Sequence, residues 1–136
     1  MDEIRLGKIS SINYTDGTAR VTYADRNGAV TREIPFLSVE YSMPEIGDMV
    51  LVVHLSNGAE AGVILGRPWS GKNRPPESAE RLYRKDLSPT AGKSMFRYDD
   101  DSGILRIKAP TIILETDTGN TTIKSLLERI AALESK

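Results

Sequence analysis

The 136-residue chain has no cysteine, one histidine, one tryptophan and two phenylalanines. Without cysteine there can be no disulfide, iron–sulfur cluster, thiolate zinc site or cysteine nucleophile. A single histidine excludes every metal site that takes two imidazoles from one chain, and leaves at most one general base of that type. Long apolar runs are also missing. The longest, Met49 to Val53, falls far short of the roughly 20 residues that a membrane-spanning helix takes. The opening Met1-Asp2-Glu3-Ile4-Arg5 lacks a basic region followed by an apolar one, so no signal peptide is expected. Neither charge sign is in excess: 18 Lys and Arg against 19 Asp and Glu give a formal charge of −1. At 39% hydrophobic and 27% charged residues, the composition is that of one medium domain, or a small domain with an appendage.

What the chain does have is turn chemistry. Asp16-Gly17 and Arg26-Asn27-Gly28 separate Arg5 to Tyr14, Thr18 to Tyr23 and Ala29 to Leu37, which reads as a meander of three strands. A longer connection through Met43-Pro44-Glu45-Ile46-Gly47-Asp48 leads to Met49 to Leu55, and Ser56-Asn57-Gly58 turns into Glu60 to Gly66. Five short strands in this length predict a small closed barrel of OB type. The fourth carries Met49, Leu51, Val53 and Leu55 on one face and Val50, Val52 and His54 on the other. A strand with one wet face should alternate with polar residues, so a second layer or another subunit is expected over the outer face.

Residues 70–93 are poor in apolar side chains and predict an extended linker. Beyond it, Met95 to Tyr98, Ile104 to Ala109 and Thr111 to Thr116 read as brief strands. Ser125-Leu-Leu-Glu128 has the spacing of a capping box opening a helix to about Glu134. Strands this short and a helix of three turns are marginal alone. Yet Leu105, Ile107, Ile112, Ile113, Leu114, Leu126, Ile130 and Leu133 are large and apolar, and burying each contributes roughly 1.5–3 kcal/mol. Copies of the chain completing one another's core would resolve the conflict, so an obligate homo-oligomer is expected. Ile123, Leu126, Ile130 and Leu133 fall on a/d spacing. Isoleucine at a with leucine at d favours two strands in isolated coiled coils, but two heptads are too short to overrule a three-copy stalk, and a helix folded back against the strands is the alternative to a bundle.

Catalytic and binding motifs are weak. Gly66-Arg-Pro-Trp-Ser-Gly71-Lys72 has phosphate-loop spacing, but Asn73 stands where a hydroxyl is needed and Arg74-Pro75-Pro76 prevents the helix. Asp117-Thr118-Gly119 spells an aspartic-protease loop with too little chain around it for a cleft, so a hairpin turn is expected. Asp99-Asp100-Asp101-Ser102-Gly103 lacks the further spaced carboxylate of a calcium loop and predicts a solvated turn. His54 is expected to be a hydrogen-bonded residue of an apolar strand. Residues 1–69 hold six basic and nine acidic residues, and the linker offers only Tyr83 for base stacking. Both argue against a nucleic-acid surface.

Arg5-Leu-Gly-Lys-Ile-Ser10, Gly17-Thr-Ala-Arg-Val21, Pro44-Glu-Ile-Gly47-Asp48-Met-Val-Leu-Val-Val53 and Gly62-Val-Ile-Leu-Gly66 together resemble the phage baseplate assembly protein V family. These are the short central-spike proteins of contractile tails, related to the tips of type VI secretion and tail-like bacteriocins. Asp101 to Lys108 and Thr111 to Leu114 look like that family's trimeric β-prism or β-helix.

The resemblance implies a homotrimer, with three OB barrels as a collar on the tail hub and a β-stalk along the tail axis. It implies baseplate and hub proteins as partners, a virion location after assembly in the bacterial cytoplasm, and no cofactor. Two features depart from the family: the chain has no His-x-His motif for iron at an apex, and its stalk ends in a helix. A blunt stalk, or one finished by a separate tip protein, is therefore expected, with no stable membrane insertion.

The expected organisation is mainly β: an OB-type barrel over 1–69, a linker over 70–93, an intertwined trimeric β-stalk over 94–122 and a helix over 123–136. No catalytic, cofactor or metal residues are expected. The expected oligomer interface is Leu105, Ile107, Ile112, Leu114, Ile123, Leu126, Ile130, Leu133, Val50 and Val52. A nucleic-acid-binding OB protein is the alternative, and a hydrolase a distant third.

Overall fold

The computed structural model describes residues 3–56 and 62–136. The chain is mainly β with one C-terminal helix, and it divides into two compact units, Met1–Arg74 and Pro75–Lys136. Most of the expected Ser56-Asn57-Gly58 turn, and the start of the strand expected from Glu60, lie outside the described residues.

The first unit is a six-stranded sheet: β1 (Glu3–Asn13), β2 (Thr18–Tyr23), β3 (Ala29–Val30), β4 (Ile34–Pro35), β5 (Met49–His54) and β6 (Gly62–Gly66). The ladder runs β3-β2-β1-β5-β6, with β4 also paired to β2. The expected third strand is thus two short ones. Between them Thr31 serves β2 instead: its N–H donates to Val21 O (2.9 Å) and its hydroxyl accepts from Val21 N–H (3.0 Å). Among the described residues the strands do not close into the expected five-stranded barrel. A lone parallel bridge, Phe36 to Ile64, joins the residue after β4 to β6, together with a 3.0 Å hydrogen bond from Leu37 N–H to Ile64 O.

The core of this unit is Ile9, Ala19, Val21, Tyr23, Ile34, Val50, Val52 and Ile64, with Ile12 and Phe36 packed against it. On β1, Arg5, Gly7 and Ile9 point inward. A bulge at Ser10, between the pairs Ile9–Val21 and Ser11–Arg20, then shifts the alternation so that Ile12 opposite Ala19 joins the same side. Gly7 permits a close approach rather than an unusual backbone angle. A Cβ there would lie 2.5 Å from Val21 Cγ1 and 2.7 Å from the Tyr23 ring.

The second unit begins inside the stretch expected to be linker. Leu82–Asp86 is a strand, β7, paired with β8 (Met95–Asp99), which pairs with β9 (Ile104–Lys108). Its low apolar content hid it, because one face is held by ion pairs. A hairpin of β10 (Ile113–Thr116) and β11 (Gly119–Thr122) follows, turning through Asp117-Thr118 as expected, and α1 spans Ile123–Glu134. The helix cap is Thr122, whose hydroxyl accepts from Ser125 N–H at 2.9 Å. Capping therefore starts three residues before the Ser125 box.

Gly7→Ala is expected to destabilise the first unit by roughly 1–3 kcal/mol through overpacking. The check is the urea midpoint at unchanged slope. A variant as stable as its parent would mean that the Tyr23 ring withdraws from β1 at no cost.

Candidate functional site

The sheet β7-β8-β9 has two unlike faces. Paired residues on antiparallel strands share a face, and the register sets Tyr83 opposite Tyr98 opposite Leu105, and Lys85 opposite Phe96 opposite Ile107. This face is open: Tyr83 is 62% exposed, Leu105 61% and Ile107 55%, and Phe96 and Tyr98 are exposed too. The other face carries Leu82, Arg84 and Asp86, then Asp99, Arg97 and Met95, then Ile104, Arg106 and Lys108. Met95 is buried there, the single buried hydrophobic residue among the described residues of the second unit. The sequence pointed to Leu105 and Ile107 but missed the aromatics beside them. Alternation within Met95-Phe-Arg-Tyr98 was the available signal.

The remaining expected interface residues separate into two groups. Ile112, Ile123 and Leu126 are half-buried where the hairpin meets α1, and Ile123 N–H donates to Ile112 O at 3.0 Å. Leu114, Ile130 and Leu133 are exposed, as are Ile113 and Leu127. Val50 and Val52 do not belong with them: both are 0% exposed, inside the first unit's own core. The open face of β5 is the opposite one, where Val53 lies between Ile4 and Val63 and Leu51 lies beside Leu6. The expectation that Val50 and Val52 face outward is therefore corrected: with both faces of the strand apolar, the inward one is the face that meets Ile9, Val21 and Ile64.

His54 is engaged within its own unit. Its Nε2 shares a 2.6 Å hydrogen bond with the Tyr23 hydroxyl, and the two rings meet edge to face. The Arg5 guanidinium lies 4.3 Å from the Tyr23 ring centroid and pairs with Glu3 and Asp25, while Arg26 also pairs with Glu3. Burial pushes the Tyr23 hydroxyl above its ordinary pKa. Among the described residues no group of three or more His, Asp or Glu is placed to hold a metal ion. Asp101 instead accepts from Arg81 at 2.7 Å in the β8–β9 turn. The phosphate-loop-like stretch ends in a turn, with Asn73 N–H donating to Ser70 Oγ at 3.1 Å.

On the charged face of the second sheet, Arg84, Arg97 and Arg106 stand directly opposite one another on three strands. Glu77, from the irregular stretch before β7, bridges two of them. Its Oε1 accepts from Arg84 Nη1 (2.9 Å) and Arg97 Nε (2.6 Å), and its Oε2 from Arg97 Nη2 (3.1 Å). Arg84 also donates twice to Asp86, at 2.9 and 3.1 Å. The Arg97 hydrogen bonds, then those of Arg84, lower the Glu77 pKa from 4.5 to about 2. The Arg84 pairing, helped by Gly92 N–H, lowers that of Asp86.

A depressed carboxylate pKa stabilises the folded form fully above the unfolded value, and the contribution is lost as pH falls through the folded one. The Glu77 contribution is therefore expected to be complete above about pH 4.5 and gone by about pH 2. Glu77→Gln should flatten that part of the acid-unfolding curve. The check is a carboxyl NMR titration of Glu77, and a midpoint in the ordinary glutamate range would contradict it.

No family model matches the chain, and no curated protein matches it at a significant level.

Proposed function

We propose that this chain is the homotrimeric central-spike protein of a contractile phage tail, or of a particle derived from one. In this reading the first unit is an OB-type barrel standing in a collar on the tail hub. Three copies of the second unit form the intertwined β-stalk, with hub and baseplate proteins as partners and the tip supplied separately. The family resemblance of the first unit supports this, as does its β1-centred sheet with the Phe36–Ile64 bridge joining β4's end to β6.

The observation that carries the reading is the second unit's lack of a core. Fixing each residue costs roughly 1–2 kcal/mol of backbone entropy. Five strands and a helix with Met95 as the one buried hydrophobic residue cannot offset that. Tyr83, Phe96, Tyr98, Leu105 and Ile107 form the surface that other copies would cover. Such a role is structural and assigns no catalytic residue. No helix of the described residues is long and apolar enough to cross a membrane.

One observation favours a second reading. The same exposed face sets Tyr83, Phe96 and Tyr98 beside Lys85, and aromatic side chains with a cation form a stacking platform for single-stranded nucleic acid. The excess of nine acidic over six basic residues across 1–69 opposes it.

Light scattering is expected to give three times the chain mass, unchanged from low to high salt, because apolar contacts are not screened. Ile107→Asp should dissociate the assembly, since burying an unpaired carboxylate costs several kcal/mol. A monodisperse monomer at micromolar concentration overturns the spike reading. Oligonucleotide binding with a steep salt dependence would replace it by the second.

A further inference from the structure

We infer that the arginine row of β7, β8 and β9 is an oxyanion-binding site. One end is filled by the chain's own Glu77 carboxylate, and the other, at Arg106, is open to an external phosphate or carboxylate. The inference is independent of the spike reading.

Like charges directly opposite on neighbouring strands repel, so three arginines in register are an arrangement that needs anions. Each of the three is neutralised to a different degree. Arg84 is hydrogen-bonded by two carboxylates, Asp86 and Glu77, and Arg97 by Glu77 alone in a two-pronged contact, with Asp99 on the same face adding a longer-range attraction. Arg106 is exposed, and among the described residues its side chain has neither an ion pair nor a hydrogen bond. Uncompensated positive charge therefore grows from β7 toward β9, where Lys108 lies two residues further along the same face.

The contact already present defines the ligand chemistry. Glu77 offers two coplanar oxygens, one shared between guanidinium groups and the other on Arg97 alone. This is the fork recognition that carboxylates and phosphates share. Glu77 belongs to no strand or helix, so its side chain, rather than a backbone ladder, occupies the place. A second oxyanion between Arg97 and Arg106 would extend the same pattern by one strand. Glu77 competes for Arg97 and so weakens that second place.

The test is a titration of the full chain with inorganic phosphate at low ionic strength, following the arginine Nε–H resonances. The unaltered chain should show a saturable shift at Arg106 and Arg97, and Arg106→Gln should abolish it. Glu77→Gln should bind about tenfold more tightly, as one charge-assisted contact is freed. A parallel titration with glutarate separates the two sources: saturation by phosphate alone assigns a phosphate ligand, and saturation by glutarate assigns a carboxylate. The inference is overturned if neither anion gives a saturable shift in the unaltered chain and in Glu77→Gln. A response that survives Arg106→Gln overturns it as well, and that substitution is at an exposed position that does not endanger folding.

Discussion

Apolar burial is shared unequally between the two units, and most of the chain's other features follow from that. Eight buried side chains from β1, β2, β4, β5 and β6 meet inside the first unit. The second has Met95. A unit with a closed core holds its own geometry. The other is held by backbone ladders, by ion pairs such as Glu77–Arg97 and Arg84–Asp86 and, in the proposed trimer, by the copies that would cover its open face. Ion pairs that keep some solvent contact stabilise less than their geometry suggests, because solvent screens them and two side chains must be ordered. The specific geometry of the second sheet therefore coexists with a deficit of stabilisation.

The sequence revealed the elements more readily than their faces. Glycine–Asx turns and two-residue alternation located β1, β2 and the β10–β11 turn, an apolar run located β5, and capping-box spacing located the helix. Four features were not legible. The bulge at Ser10 changes which residues of β1 face inward, and it depends on the partner strand rather than on local composition. Thr31 substitutes for a ladder residue and splits one expected strand into β3 and β4. On β5 both faces are apolar, so Val50 and Val52 could not be told from Leu51 and Val53 without knowing where Ile9 and Ile64 lie. The strand β7 was hidden because Arg84 and Asp86 are satisfied by charge partners, and a low apolar count reads as linker when the partners are unknown.

The inward stripe of β1 shows how one polar residue can shape a core. Arg5 points to the same side as Ile9, and its guanidinium lies over the Tyr23 ring while Glu3 and Asp25 take its hydrogen bonds. Stacking and pairing together let a charge sit with its side chain only 8% exposed. The ring beneath needs the space that Gly7 leaves, and its hydroxyl engages His54. The lone histidine is thus committed to the interior edge of its own unit. A role for it in joining copies would first require breaking that bond.

The two faces of the β7-β8-β9 sheet would also direct assembly in the proposed trimer. An open sheet with unpaired edges tends to pair indiscriminately unless its edges or faces carry charge. Here β7 and β9 are both edges. Arg106 and Lys108 place positive charge along the β9 edge on one face, while Leu105 and Ile107 place apolar surface on the other. A second copy approaching the arginine side meets like charge and the Glu77 contact. One approaching the tyrosine side meets complementary apolar surface. In the proposed trimer the difference between the faces would act by penalising the wrong packing. In that trimer the Glu77 contact would have a part in specificity beside the pH-dependent stabilisation it gives its own sheet.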